Sequence, residues 1–194
     1  MATAPTNKPL CLTIDANVLI ALCSKEIDKY AIAQSELTQY AQAGYQFYAP
    51  GVVIAESLFV LCKKLEDKSL SAPDHAAAVT DLCTYMGMIL PPPNGDASLV
   101  ARAEQIRQGY GCSRSADGLY IALTEELAAG GTTEILTFDG GMENQAKANA
   151  PTFKRSMSDK NCLEGAGCKD GVIKRAGHAF SFGPHTYHWG KWDN

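Results

Sequence analysis

The 194-residue sequence has no apolar run approaching the ~18–20 residues that a helix needs to cross a bilayer. Met1 to Pro9 hold no basic stretch leading into an apolar one of the secretory kind. There is no G-x-G-x-x-G and no Walker loop, so nucleotide-cofactor binding by those routes has no support. There is no internal repeat. Regular cysteine spacing is missing as well: the seven cysteines are odd in number and scattered. Cys11, Cys23, Cys62 and Cys83 sit in apolar or helix-like segments, where a reduced thiol packs as a small hydrophobe. These absences predict a cytoplasmic protein with free thiols and no disulfide framework.

Basic charge is also scarce over most of the chain. Residues 1–150 carry 10 Lys and Arg against 17 Asp and Glu, a net of −7. Residues 151–194 carry 7 against 4, a net of +3, which brings the whole chain to −4. An acidic body excludes gripping duplex DNA by bulk charge, which rests on many Lys and Arg contacts to phosphate. It does not exclude meeting phosphates through metal ions.

What is present is enough apolar residue, 46%, for the core of one ordinary domain. Leu10–Ile14 reads as a β-strand that stops at Asp15, followed by a helix over Ala16–Cys23. Asp28–Ala43 reads as a helix stopped by Gly44, and Tyr45–Tyr48 as a strand ended by Pro50-Gly51. Val52–Lys64 is a helix apolar on nearly every face. Ser71 caps a helix to Met86, with Asp74 three residues on. Met88–Leu90 reads as a strand. Asp96 caps a helix to Tyr110, and Ser115 caps another over Ala116–Ala129. Glu134–Phe138 is a strand and Glu143–Asn149 a last helix. Four short strands separated by helices predict an α/β fold, a short-stranded parallel sheet in three α/β/α layers.

Four carboxylates fall in positions that such a fold brings together. Asp15 and Asp139 each follow a strand, at the sheet edge where ligands of open parallel sheets bind. Asp117 lies in the first turn of a helix. Glu56 stands alone among Val52–Leu61, sharing a face with Val52, Val53, Phe59 and Val60. Structural roles are available to the three aspartates: a helix cap for Asp15, a turn for Asp139 in Asp-Gly-Gly, and a dipole contact for Asp117. A lone carboxylate on an apolar face has no such role and is costly unless paired or coordinated. Converged carboxylates demand protons or a cation, and hard oxygen donors without His or Cys select Mg²⁺ or Mn²⁺.

These residues resemble the motifs of PIN-domain nucleases. Ile14-Asp15-Ala16-Asn17-Val18-Leu19 is similar to the opening D-x-N/S motif, and Glu56 in its apolar helix to the second acid. Ser115-Ala116-Asp117-Gly118-Leu119-Tyr120-Ile121-Ala122 resembles the AD-x-x-x-IA helix, and Thr137-Phe138-Asp139 the T/S-x-D strand end. The resemblance runs in family order over roughly residues 10–150. It implies that Asp15, Glu56, Asp117 and Asp139 ligate one or two Mg²⁺ or Mn²⁺ ions and that water attacks an RNA phosphate in line. Asn17 and Thr137 become supporting polar residues; a helix-start Asn and an exposed strand Thr are the alternatives. Small bacterial members are toxins of VapBC-type toxin–antitoxin pairs, which implies an antitoxin partner and a homodimer. Glu125 and Glu126 depart from the family helix, and residues 153–194 extend beyond the family core in residues 1–152.

That extension, rich in Gly, Lys and aromatics, holds Cys162, Cys168, His178, His185 and His188. The Cys162-x₅-Cys168 gap exceeds the usual spacing of about two to four residues between paired zinc ligands. A basic strand or hairpin segment bearing Phe180, Phe182, Tyr187, Trp189 and Trp192 is the plainer reading, suited to single-stranded nucleic acid and equally to a protein partner or to docking on the chain itself. Two other functions stay open for the chain: a non-catalytic interaction protein on the same fold, and a metal-dependent hydrolase of another phosphorylated substrate.

Overall fold

A computed structural model describes residues 8–111 and 116–149, and the backbone of 181–182 and 189–190. Its elements in chain order are β1 (Leu10–Ile14), α1 (Ala16–Cys23), α2 (Tyr30–Gln42), β2 (Gln46–Tyr48), α3 (Val52–Glu66) and α4 (Ala72–Met86). They continue with α5 (Asp96–Gly109), α6 (Asp117–Ala128), β3 (Thr132–Leu136), α7 (Gly140–Asn149), β4 (Ser181–Phe182) and β5 (Trp189–Gly190).

β1 is the centre of the sheet because all but its first residue are buried, on both faces. It runs parallel to β2, with Leu12 opposite Phe47, and parallel to β3, with Ile14 opposite Leu136. On one face Tyr40 of α2 reaches Glu134 of β3. On the other, the hydroxyl of Thr124 in α6 bonds to that of Thr13, 2.9 Å away. Helices therefore cover both faces of a parallel sheet, as expected. The expected strand at Met88–Leu90 is reduced to one bridge, Tyr48 to Leu90, because Pro91 to Pro93 remove the donors that a longer ladder needs. The outer edge of β3 is taken by β4, antiparallel, and β5, parallel. The candidate zinc ligands Cys162, Cys168, His178, His185 and His188 lie outside the described residues.

Helix starts follow the sequence only in part: α2 begins at Tyr30 rather than Asp28, α7 at Gly140 rather than Glu143, and Ala116 holds the cap position of α6. Ser71 accepts the Asp74 N–H at 3.2 Å and caps α4 as expected. In α5, Gly95 takes the cap position at φ +78°, a conformation suited to glycine. Asp96 instead accepts the Gly51 N–H at 2.8 Å, tying the start of α5 to the start of α3. Ser115, expected to cap α6, lies outside the described residues.

α5 and α6 approach closely at Gly118. A Cβ on Gly118 would stand 2.8 Å from the Ala103 carbonyl oxygen, so only glycine permits this approach. Arg102 forks onto Glu125 at 2.6 and 2.9 Å, and Ser98 donates to Glu126 at 2.8 Å. The two acids that depart from the family helix thus fasten α6 to α5. α3 differs from expectation. Val53 and Leu61 are buried, but Ile54, Leu58 and Phe59 are exposed, Phe59 by 63%. Half of its apolar face looks outward, so Glu56 is half-buried rather than enclosed.

Candidate active site

The parallel register of β1 and β3 sets the site. Ile14 lies opposite Leu136, and the Asp15 N–H bonds to the Leu136 carbonyl at 3.1 Å, so Asp15 and Thr137 leave the sheet side by side. Asp15 has the extended backbone of a helix cap, yet its side chain makes no capping bond. Its Oδ2 accepts the Thr137 hydroxyl at 2.5 Å instead. The capping alternative for Asp15 is thereby excluded.

Thr137 is fully buried, which also excludes an exposed strand threonine. Its Oγ1 accepts from Asn17 Nδ2 at 3.0 Å and from the Asp139 N–H at 2.9 Å. Asn17 Oδ1 accepts the Phe138 N–H at 3.0 Å. One hydroxyl and one amide therefore lace the β1–α1 crossing to the β3–α7 crossing. Both supporting residues expected from the sequence stand beside Asp15.

The other acids arrive on separate elements. Glu56 comes from the second turn of α3, and its Oε2 accepts the Tyr120 hydroxyl at 2.6 Å. Asp117 opens α6, is 8% exposed, and accepts Gln145 Nε2 from α7. Asp139 is exposed, and its Oδ1 accepts the Gly141 N–H at 2.6 Å, so it does perform the turn role open to it.

The four acids share one electrostatic environment. Burial pushes the Asp15 carboxyl up from the ordinary carboxylate range to about 7; Asp117, Glu56 and Asp139 push it the same way, while the Thr137 hydroxyl pulls it down. The Tyr120 hydroxyl is raised by burial first, then by Asp15 and Glu56. Among the described residues, no three His, Cys, Asp or Glu side chains are gathered closely enough to hold an ion as they stand. The donor chemistry nonetheless fits a hard divalent cation: four carboxylates, no His or Cys, and mutual repulsion that positive charge relieves.

Two residues at the site went unmarked in the sequence. Tyr120 lies three positions after Asp117 and so shares its helix face, a signal that was there to read. Gln145 sits in a polar helix of mixed character and gives no such signal.

Acids carried to the carboxyl edge of a small parallel sheet by the strand ends and by helices on either side are set in an α/β fold of PIN-like class. The chain belongs to the PIN domain family, whose model matches residues 12–148; PIN domains are generally nucleases, and typically use divalent metals. Among solved structures it is similar to VapBC2 from Rickettsia felis bound to a DNA fragment from their promoter: 13% identity, 67% of this chain and 88% of that one, TM-score 0.47. FitAcB from Neisseria gonorrhoeae shows 17% identity over 70% and 93%, TM-score 0.48. PAE2754 from Pyrobaculum aerophilum shows 16% over 75% and 90%, TM-score 0.43. No curated protein matches the chain. Among the described residues no helix is long and apolar enough to cross a membrane.

Proposed function

We propose that the protein is a divalent-metal-dependent endoribonuclease and the toxin of a toxin–antitoxin pair. Asp15, Glu56, Asp117 and Asp139 would hold Mg²⁺ or Mn²⁺. The observation that carries this reading is that acids from three other segments all act on Asp15, which burial already presses toward its protonated form. Such a set costs the fold stability unless a cation offsets it. When bound, the ion polarises a phosphodiester and lowers the pKa of a bound water.

The chain's own residues hold the acids in place. Thr137 fixes one oxygen of Asp15, and Asn17 fixes Thr137. RNA, single-stranded or structured, is the substrate, and residues 153–194, with their net positive charge, are the part suited to bind it. An antitoxin and a second copy of the chain are the protein partners of this reading. The exposed Ile54, Leu58 and Phe59 of α3 support a surface that a partner covers.

The full-length chain tests the proposal by Mn²⁺ titration and by cleavage of single-stranded RNA, DNA and a phosphomonoester in parallel. Metal-dependent cleavage of RNA alone is expected, lost in Asp15→Asn and Asp117→Asn. A wild-type chain that binds no divalent ion overturns it. Hydrolysis of the phosphomonoester in preference to RNA moves the substrate class.

A further inference from the structure

Tyr120 is among the largest fully enclosed side chains, its ring held in the core at 1% exposure while its hydroxyl reaches the acidic edge. That hydroxyl donates to Glu56 Oε2 at 2.6 Å. A phenol has one proton to give. Here that proton goes to Glu56. One hydroxyl thus joins α6, the helix that begins with Asp117, to Glu56 of α3.

The need for such a contact is clear from α3. Glu56 is half-buried on a helix whose neighbouring Ala55, Leu58 and Phe59 are exposed. A glutamate there has several rotamers to choose from, and ordering it costs entropy. An immobile ring that ends in a hydroxyl removes that choice without adding charge. A charged donor at the same place would instead compete with a cation for the carboxylate.

Resting on the proposed function, we infer that Tyr120 is a positioning residue for Glu56: its hydroxyl sets where that carboxylate stands relative to Asp15 and Asp117. It acts through Glu56 and is not itself a ligand. Partners of this kind, one shell out from a metal, govern affinity nearly as strongly as the ligands do.

The test uses the full-length chain, Mn²⁺ alone as the binding probe, and single-stranded RNA as substrate. Tyr120→Phe is expected to lower Mn²⁺ affinity and kcat by about 10–100-fold, with KM for RNA unchanged. Added to Glu56→Gln, it is expected to cause no further loss, because both changes act on one carboxylate. Glu56→Asp, made on the half-buried helix face, keeps the charge but shortens the reach to Tyr120. It is expected to match the loss in Tyr120→Phe, and it carries the test if Tyr120→Phe folds poorly.

Wild-type affinity in either Tyr120→Phe or Glu56→Asp overturns the inference. So does a full additional loss when Tyr120→Phe is placed on Glu56→Gln. A lowered melting temperature with unchanged kcat per folded molecule assigns Tyr120 to the core alone and overturns it too. A wild-type chain that neither binds Mn²⁺ nor cleaves RNA overturns the proposed function and this inference with it. A wild type that does both while the variants match it overturns this inference only.

Discussion

Asp15 and Glu134 are buried to the same extent, each 6% exposed, Glu134 within β3 and Asp15 directly after β1. Their surroundings differ. Glu134 faces two phenols: Tyr40 donates to its Oε2, and Tyr45 to its Oε1 at 2.5 Å. Those two rings stack edge to face with centroids 4.9 Å apart, so the donors are themselves fixed. Asp15 has one hydroxyl donor, Thr137, and three acids pressing on it. Burial alone therefore does not mark a functional carboxylate. What marks Asp15 is that three acids, Asp117, Glu56 and Asp139, press on it, whereas both oxygens of Glu134 accept from tyrosine hydroxyls, with Glu36 as an acidic neighbour.

The sharpest way to break this comparison is to neutralise each acid. Asp15→Asn is expected to reduce RNA cleavage by more than about 100-fold while raising the melting temperature of the metal-free protein. Glu134→Ala is expected to leave kcat unchanged and to destabilise by about 1–3 kcal/mol, since two part-buried tyrosine hydroxyls lose their acceptor. Paired cleavage assays and thermal melts read both. Loss of activity in folded Glu134→Ala would erase the distinction.

pH gives the next effect in size. The folded carboxyl of Asp15 lies at about 7, above its unfolded value of 3.8. The folded state then binds the extra proton between those values. The stability from this group is complete below pH 3.8 and is lost as pH rises through about 7, on the order of a few kcal/mol in all. Urea melts of the metal-free protein from pH 4 to 8 check this, and Asp15→Asn is expected to remove that part of the slope.

Cation binding comes third. Mn²⁺ at about 100 times its dissociation constant is expected to stabilise the wild type by about 3 kcal/mol. The same addition is expected to do far less for Asp15→Asn and to act on Glu134→Ala as on the wild type. Tyr45→Phe, which removes one donor from Glu134, is the smallest change, at about 1 kcal/mol in stability and none in kcat.

Much of the site was legible in the sequence because strand ends carry it. Asp15 and Asp139 follow apolar runs, and the parallel register brings such ends to one edge without any help from side chains. Glu56 was singled out as a candidate by an argument only partly correct. Its helix was read as apolar on nearly every face, but exposed Ile54, Leu58 and Phe59 put much of that surface outside. Glu134 was passed over because a single acid within a strand gives no hint of two tyrosines arriving from α2 and the loop after it. The cap of α5 was misplaced by one residue for a similar reason: Asp96 has a better use in a long-range bond to Gly51. Local pattern shows which residues are polar, but the partner each one finds is a property of the assembled layers.

Gly118 follows Asp117 and touches none of the chemistry, yet a methyl group there would collide with the Ala103 carbonyl at 2.8 Å. A scan of all substitutions scored on cleavage would therefore rank position 118 beside the acids, since displacing α6 carries both Asp117 and Tyr120 with it. Scored on abundance, the two would separate in degree: any side chain at 118 displaces α6, whereas Asp117→Asn keeps an acceptor for Gln145. The map of intolerance along α6 is thus a composite of two maps, one of contact between helices and one of charge at the sheet edge.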